Sequence, residues 1–161
     1  MRSTENIKKL IKNLKLHIDT NSEADQRILD ELLQALLNII LKQFAASHTW
    51  CALRNQPTGP MTHHAGKRRD GQSVELNEIK LNDKITQVVE KGQFLVLPRV
   101  SAQIEEEERI RSAMIAAVMT SAGCFGVLYL DNSMHDTHYS LSDLDYLIIL
   151  SIHIAAVMKK L

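Results

Sequence analysis

The sequence predicts an α+β domain in which one antiparallel sheet is packed between helices. Three observations carry the prediction. Residues 110–132 (IRSAMIAAVMTSAGCFGVLYLDN) are two apolar runs joined by Ser121-Ala122-Gly123, the composition of a strand–turn–strand hairpin. Stretches of helical periodicity stand toward both ends of the chain, over 22–45 and from Ser140 onward. Short strand-like runs separated by turn residues lie between them, with no internal repeat and no low-complexity segment. The hairpin strands are apolar at nearly every position instead of every second one, so they should lie mid-sheet, covered on both faces.

Taken in order, residues 6–18 place Ile7, Leu10, Ile11, Leu14 and Ile18 at helical spacing, with Lys8, Lys9, Lys12 and Lys15 off the stripe. So narrow a stripe cannot hold a helix in water alone, and it asks for a partner surface on the domain or on a second subunit. Asp19 and Glu23 follow closely and no aromatic anchor is present, which argues against a membrane-surface helix. Residues 1–20 are therefore read as an N-terminal helix and linker, and 21–161 as the domain. Thr20-x-x-Glu23 and Ser22-x-x-Asp25 both fit a capping box, opening a helix over 22–45. Leu29, Leu32, Leu33, Leu36, Leu37, Ile40, Leu41 and Phe44 give that helix a wide apolar face.

Residues 48–54 (HTWCALR) read as a strand, 55–60 as a loop by composition, and 61–68 as the hairpin partner. Residues 74–79 are ambiguous. Asn82 is expected to cap a short helix running through Lys91, with Ile85, Val88 and Val89 inward and Gly92 as its stop. Phe94–Leu97 is a short strand closed by Pro98, and Glu105-Glu106-Glu107-Glu108 reads as a solvated turn of helix or loop. After the hairpin, Ser140 is the expected N-cap of the last helix. Asp143 completes the box, and Tyr139 can staple onto Leu144. Its stripe is Leu144, Leu147, Ile148, Ser151, Ala155 and Met158, widened by Ile152 and Ile154.

The 161 residues suffice for one domain with a real core. Nineteen basic residues balance nineteen acidic ones, so no electrostatic footprint for nucleic acid is present, and 4% aromatic content leaves little for base stacking. Apolar runs fall short of the roughly 18–20 residues that span a bilayer, and the charged N-terminus is unlike a signal peptide. Cys51 and Cys124 sit inside strand-like runs, as buried reduced thiols of a cytosolic protein would.

Three motifs in register carry a family resemblance. Ile110-Arg111-Ser112-Ala113-Met114, then Gly126-Val127-Leu128-Tyr129-Leu130-Asp131-Asn132, then Tyr139-Ser140-Leu141-Ser142-Asp143-Leu144 resemble the GAF domains of bacterial signalling proteins. Those domains show an R-S motif opening a central strand, a G-V-L-x-L-x-N strand and an aromatic-S-x-x-D-L helix start. The similarity runs from about Ile28 to the C-terminus. It implies a GAF-like antiparallel sheet of five to six strands, with the long N- and C-terminal helices on one face and a ligand cleft on the other. It further implies a sensory or regulatory domain that binds a small molecule, forms a homodimer through its terminal helices, or does both, and passes strain to an output module. On that arrangement the candidate cleft residues are Met61, His63, Arg68, Phe94, Arg99, Met114 and Ala116. The candidate dimer contacts are Ile7, Leu10, Leu14, Leu147, Ser151, Ala155 and Met158. The resemblance specifies no cofactor. A dimerisation scaffold whose vestigial cleft is filled by Met61, Met114 and Phe94 is the alternative, and a GAF-type thiol redox enzyme a further one.

Chemistry-bearing residues are scattered. His63 and His64 are adjacent on a strand and point to opposite faces, unsuited to one metal. His135 and His138 flank Asp136 in a polar loop, His153 falls in the last helix, and His17 and His48 stand alone. Cys51 and Cys124 lack the spacing of a redox pair, whereas GAF-like methionine sulfoxide reductases group cysteines around the cleft. Bilin attachment would need a cleft cysteine with its motif. Gly66-Lys67-Arg68-Arg69-Asp70-Gly71 is no phosphate loop, although Lys67, Arg68, Arg69 and Arg99 are the cations nearest an anionic cleft ligand. Asn132, Tyr139 and Asp143 hold places comparable to the cyclic-nucleotide signature, but Ser133 and Leu144 replace its lysine and glutamate. A small, weakly polar ligand, or none, fits at least as well as a cyclic nucleotide.

Overall fold

The computed structural model describes residues 22–97, 110–133 and 136–158. The helix expected over 6–18, with Ile7, Leu10 and Leu14, lies outside the described residues, as do Arg99, Glu105-Glu106-Glu107-Glu108 and His135. Helix α1 (Ser22–Gln43) leads into β1 (His48–Leu53) and β2 (His63–Arg68). A 3-10 turn at Leu76–Glu78 resolves the ambiguous stretch. Helix α2 (Asn82–Lys91), β3 (Phe94–Leu97), β4 (Ile110–Thr120), β5 (Gly123–Ser133) and helix α3 (Leu141–Met158) follow. The five strands form one sheet in the order β2-β1-β5-β4-β3, every neighbouring pair antiparallel.

The apolar hairpin is β4–β5, closed at Thr120↔Gly123 by the two-residue turn Ser121-Ala122. Its strands are flanked on both sides by other strands, and residues 113–118 and 126–132 are buried without a break. The physical reason is double coverage. On one face Cys51, Leu53, Met114, Ala116, Val118, Leu128 and Leu130 pack with α1 and α3. On the other, Ala52, Ala113, Ile115, Ala117, Val127 and Tyr129 pack with Val74, Ile79, Ile85 and Val88. A fully buried Leu or Ile side chain is worth roughly 1.5–3 kcal/mol. Leu32, Leu36, Leu37 and Ile40 of α1 thus outweigh the few tenths of a kcal/mol per residue that helix propensity supplies.

The end of α1 meets the start of α3. Tyr139, just before α3, donates its hydroxyl to Phe44 O at the end of α1 (3.0 Å), and Phe44 meets Tyr146 edge-to-face at 5.3 Å. The start of α3 is fixed by sequence-local chemistry. Ser140 N–H donates to Asp143 Oδ2 (2.9 Å) and Asp143 N–H to Ser140 Oγ (3.4 Å), the expected capping box. Asn132 anchors it to the sheet. Its Oδ1 accepts from Ser112 N–H and Oγ–H, and its Nδ2 donates to Thr137 O. Asn132, Tyr139 and Asp143, comparable in place to a cyclic-nucleotide signature, are here occupied in tying β4, β5 and α1 to α3.

Two expectations are corrected. Asn82 does not cap α2. The helix begins at Asn82 itself, after Leu81, and Asn82 Nδ2 donates backward to Ile79 O. Gly92 does stop it, with a left-handed φ of 58°. The second correction concerns α3. Leu147, Ser151, Ala155 and Met158 face the interior of their own chain, at most 5% exposed, so they are core residues and not a surface for a second subunit. The side α3 turns outward carries Leu141, Ile149 and Ile152 instead. The helix is also long and apolar enough, by length and composition, to cross a membrane.

Gly126 marks the closest strand contact. A Cβ there would lie 2.5 Å from Ala52 O and 2.7 Å from Leu53 Cδ2. Because the obstruction includes backbone of a central strand, Gly126→Val is expected to lower the unfolding free energy by about 3 kcal/mol or more, read from the urea midpoint at unchanged m-value.

Candidate functional site

Residues opposite each other on antiparallel strands share a face, so the register assigns every strand side chain to one side of the sheet. On the face away from α1 and α3, two rows cross the sheet. One runs Arg68, His48, Asp131, Ala113, Leu97, and its neighbour Gly66, Trp50, Tyr129, Ile115, Leu95. The second row is covered by Val74, Ile79, Ile85 and Val88, with Met61, Leu76 and Leu81 packed beside them. The first row is polar at its β2–β1–β5 end.

Asp131 is 2% exposed and follows the apolar run Val127–Leu130 of β5. A carboxylate there must be answered, because an unpartnered buried charge is far more costly than a paired one. It accepts from Tyr129 Oη–H at 2.5 Å and pairs with His48 Nδ1 at 2.8 Å. Its backbone carbonyl accepts from Ser47 N–H. Burial, followed by the charge and hydrogen bond of Asp131, pushes the Tyr129 phenol well above its ordinary value of 10, which keeps it a donor. His48 is half-buried, with its Nδ1–H committed to the carboxylate.

Beside this row, at the outer edge of β2, lies a cavity of about 170 Å3 lined by Gln34, Trp50, His64, Lys67, Val74 and Glu75, among others. Trp50 and His64 stack across it at 5.9 Å. The strap that closes it donates Val74 N–H to Gly66 O and accepts Arg68 N–H at Gln72 O. Pockets for drug-sized ligands span roughly 300–1,000 Å3, so this space suits a molecule of a few heavy atoms.

Of the expected cleft residues, Arg68 and Met61 are on this face. Four are not. Met114 and Ala116 belong to the helix-side core, Phe94 pairs with Ala116, and His63 pairs with Leu53. The cause is the alternation of the strand. A choice made one residue off selects the opposite face, and Ala113, Ile115, Leu95 and His64 are the residues facing this way. His48 and Asp131, 83 positions apart, were not expected together. The one legible signal was a carboxylate closing an apolar strand, two residues after a tyrosine on the same face.

The thiols are separated by the sheet. Cys51 is in the helix-side core, and burial, eased slightly by hydrogen bonds from Thr49 and the Tyr129 backbone, pushes it up to about 12. Cys124 is in the opposite core, its Sγ–H donating to Gly126 O at 3.2 Å. Among the described residues no three His, Cys, Asp or Glu side chains converge as a metal site would require.

A family model described as GAF domain matches residues 29–158. Among solved structures, the GAF domain of an Acinetobacter phosphoenolpyruvate-protein phosphotransferase is 17% identical, covering 99% of this chain and 95% of that one, with TM-score 0.56. Residues 122 to 287 of a methyl-accepting chemotaxis protein are 14% identical, with coverage of 93% and 94% and TM-score 0.63. A free methionine-R-sulfoxide reductase from Neisseria meningitidis, in complex with its substrate, is 14% identical, with coverage of 96% and 89% and TM-score 0.56. Identities this low speak for a shared fold alone. No curated protein matches.

Removing the phenol that serves the buried carboxylate should be felt directly. Tyr129→Phe is expected to cost about 2 kcal/mol of stability in urea unfolding, the scale of a hydrogen bond to a charged group.

Proposed function

The chain belongs to the GAF domain family, and on that premise we propose that it is a sensory or regulatory module of a bacterial cytosolic signalling protein, with residues 21–161 as the module. The fold is found in signalling proteins and in methionine-R-sulfoxide reductases alike. The reading rests on the row Arg68, His48, Asp131 with Tyr129: polar groups held against the apolar face opposite α1 and α3. Such a row recognises a small molecule through hydrogen bonds while apolar neighbours such as Ala113 and Leu97 exclude water. The ligand acts by favouring one arrangement of β5 and α3 over another, since Asn132 of β5 and the start of α3 are tied together. An output module attached to α3 in the full-length protein would read that change.

A ligand-free dimerisation module is the second reading, favoured by the apolar outward side of α3, through which a homodimer could form. A thiol enzyme is not proposed. Sulfur redox chemistry between two cysteines needs an accessible low-pKa thiol and a second one within reach, whereas Cys51 and Cys124 lie buried on opposite faces of the sheet.

Native mass spectrometry of the purified chain is expected to show a reproducible small added mass that disappears in Asp131→Asn at retained fold. A clean wild-type spectrum, unchanged by concentrating the protein in cell extract, favours the ligand-free module. Both cysteines are expected to react with maleimide only on the timescale of unfolding; rapid labelling of either in native protein would reopen the redox reading.

A further inference from the structure

The cavity at the outer edge of β2 holds a donor that the fold leaves unanswered. Trp50 is 5% exposed, and among the described residues its indole N–H has no hydrogen-bond partner. The nitrogen is not sealed in the core; it borders the open space that Trp50 lines. Its direction follows from Gly66, which lines the same space. A Cβ at Gly66 would collide with Val74 O and would meet Trp50 Cδ1, the carbon bonded to the indole nitrogen, at 2.9 Å. The N–H edge of the ring therefore faces the outer strand, and the absence of a side chain at Gly66 keeps the approach open. His64 stacks on the ring with the planes 29° apart. Lys67 also lines the cavity. Its Nζ donates to Asn38 Oδ1 of α1 at 3.0 Å, one turn beyond Gln34, another lining residue. That bond holds the ammonium on the α1 side and leaves it further N–H groups to donate.

We propose that this cavity binds a small monocarboxylate, whose carboxylate accepts the Trp50 indole N–H and whose charge is answered by Lys67. An indole N–H donates and never accepts, so the ligand must present an acceptor. A carboxylate oxygen makes a charge-assisted bond there, stronger than the one a water would make. Charge narrows the class further. Lys67 is the lining residue with a permanent positive charge, and Glu75 stands exposed at the rim. One cation beside one carboxylate suits a single negative charge and works against a dianion such as phosphate. Size sets the rest. A space of about 170 Å3 holds on the order of five heavy atoms, since a water occupies roughly 30 Å3. Val74, 3% exposed, and the indole face offer a short alkyl tail an apolar wall. Neither His48 nor Asp131 lines this cavity, so the inference stands apart from the polar-row reading.

The test reads the donor directly. Trp50 is the chain's one tryptophan, so its indole N–H gives a single side-chain cross-peak in nitrogen-15-labelled protein. Acetate and propionate are the probes, added to the full chain at constant ionic strength. Each is expected to move that peak downfield saturably, with a dissociation constant of roughly 0.1–10 mM, the range open to so few atoms. The amides of Gly66 and Val74 should shift with it while those of the β4–β5 turn stay in place. Acetamide, the same shape without the charge, and inorganic phosphate should each bind at least about tenfold more weakly, as should acetate to Lys67→Met with its β4 and β5 peaks unchanged. The comparison of probes on the unaltered chain does not depend on that variant folding. No saturable shift would mean that water alone serves the donor. An equal response to acetamide would mean that charge is not read, and a stronger one to phosphate that the site takes a dianion. Unchanged acetate affinity in folded Lys67→Met would remove the cation. Each of these results overturns the proposal.

Discussion

Everything in this domain depends on β5 being buried on both faces. A central strand has no side on which to place a residue that does not fit, so each of its positions answers to one of two covers. Leu128 and Leu130 answer to α1 and α3. Val127 and Tyr129 answer to the opposite cover of Ile79, Ile85 and Val88. Gly126 is dictated by neither cover but by the adjoining strand, whose backbone leaves no room for a Cβ. The same burial converts Asp131 from an ordinary acid into an organising group, because a charge in that position forces His48 and Tyr129 to serve it.

The end of β5 is also where the two sides of the sheet communicate. Asp131 belongs to the polar row, and Asn132, the next residue, belongs to the helix side, where it holds Ser112 and the approach to α3. One peptide unit thus joins the polar row to the bonds that hold the approach to α3. Sheet alternation produces this directly: neighbouring residues on a strand serve opposite faces. The tie continues through Tyr139, whose N–H donates to Ser112 Oγ and whose hydroxyl donates to Phe44 O, so α1 and α3 are registered to the same point.

Helix α3 is apolar on most of its circumference, and its inner and outer sides have different fates. Leu147, Leu150, Ile154 and Val157 are consumed by the core. Ile149 and Ile152 are left exposed. Their surplus of apolar surface distinguishes this helix from α1, whose outer side is Asp30, Glu31, Gln34 and Asn38.

The sequence alone determined the local elements. Hairpin, capping box and glycine stop are written in neighbouring residues, so α3, β3, the β4–β5 turn and the end of α2 were legible, and three motifs in register identified the family. Boundaries slipped by a residue or two where helix ends fray, and Asn82 misled because its amide had a nearer partner behind it. Tertiary structure decided which side of each strand faces which cover. Met114 and Ala116 were assigned to a cleft and lie under the helices, since a strand apolar on both faces carries no alternation from which to read its parity. It also decided that Leu147 and Met158 are core while Ile152 is surface, because an all-round apolar helix has no polar side to mark the outside. Above all it decided the pairing of His48 with Asp131. Their 83-residue separation is bridged only by the register of β1 on β5, which no local pattern encodes.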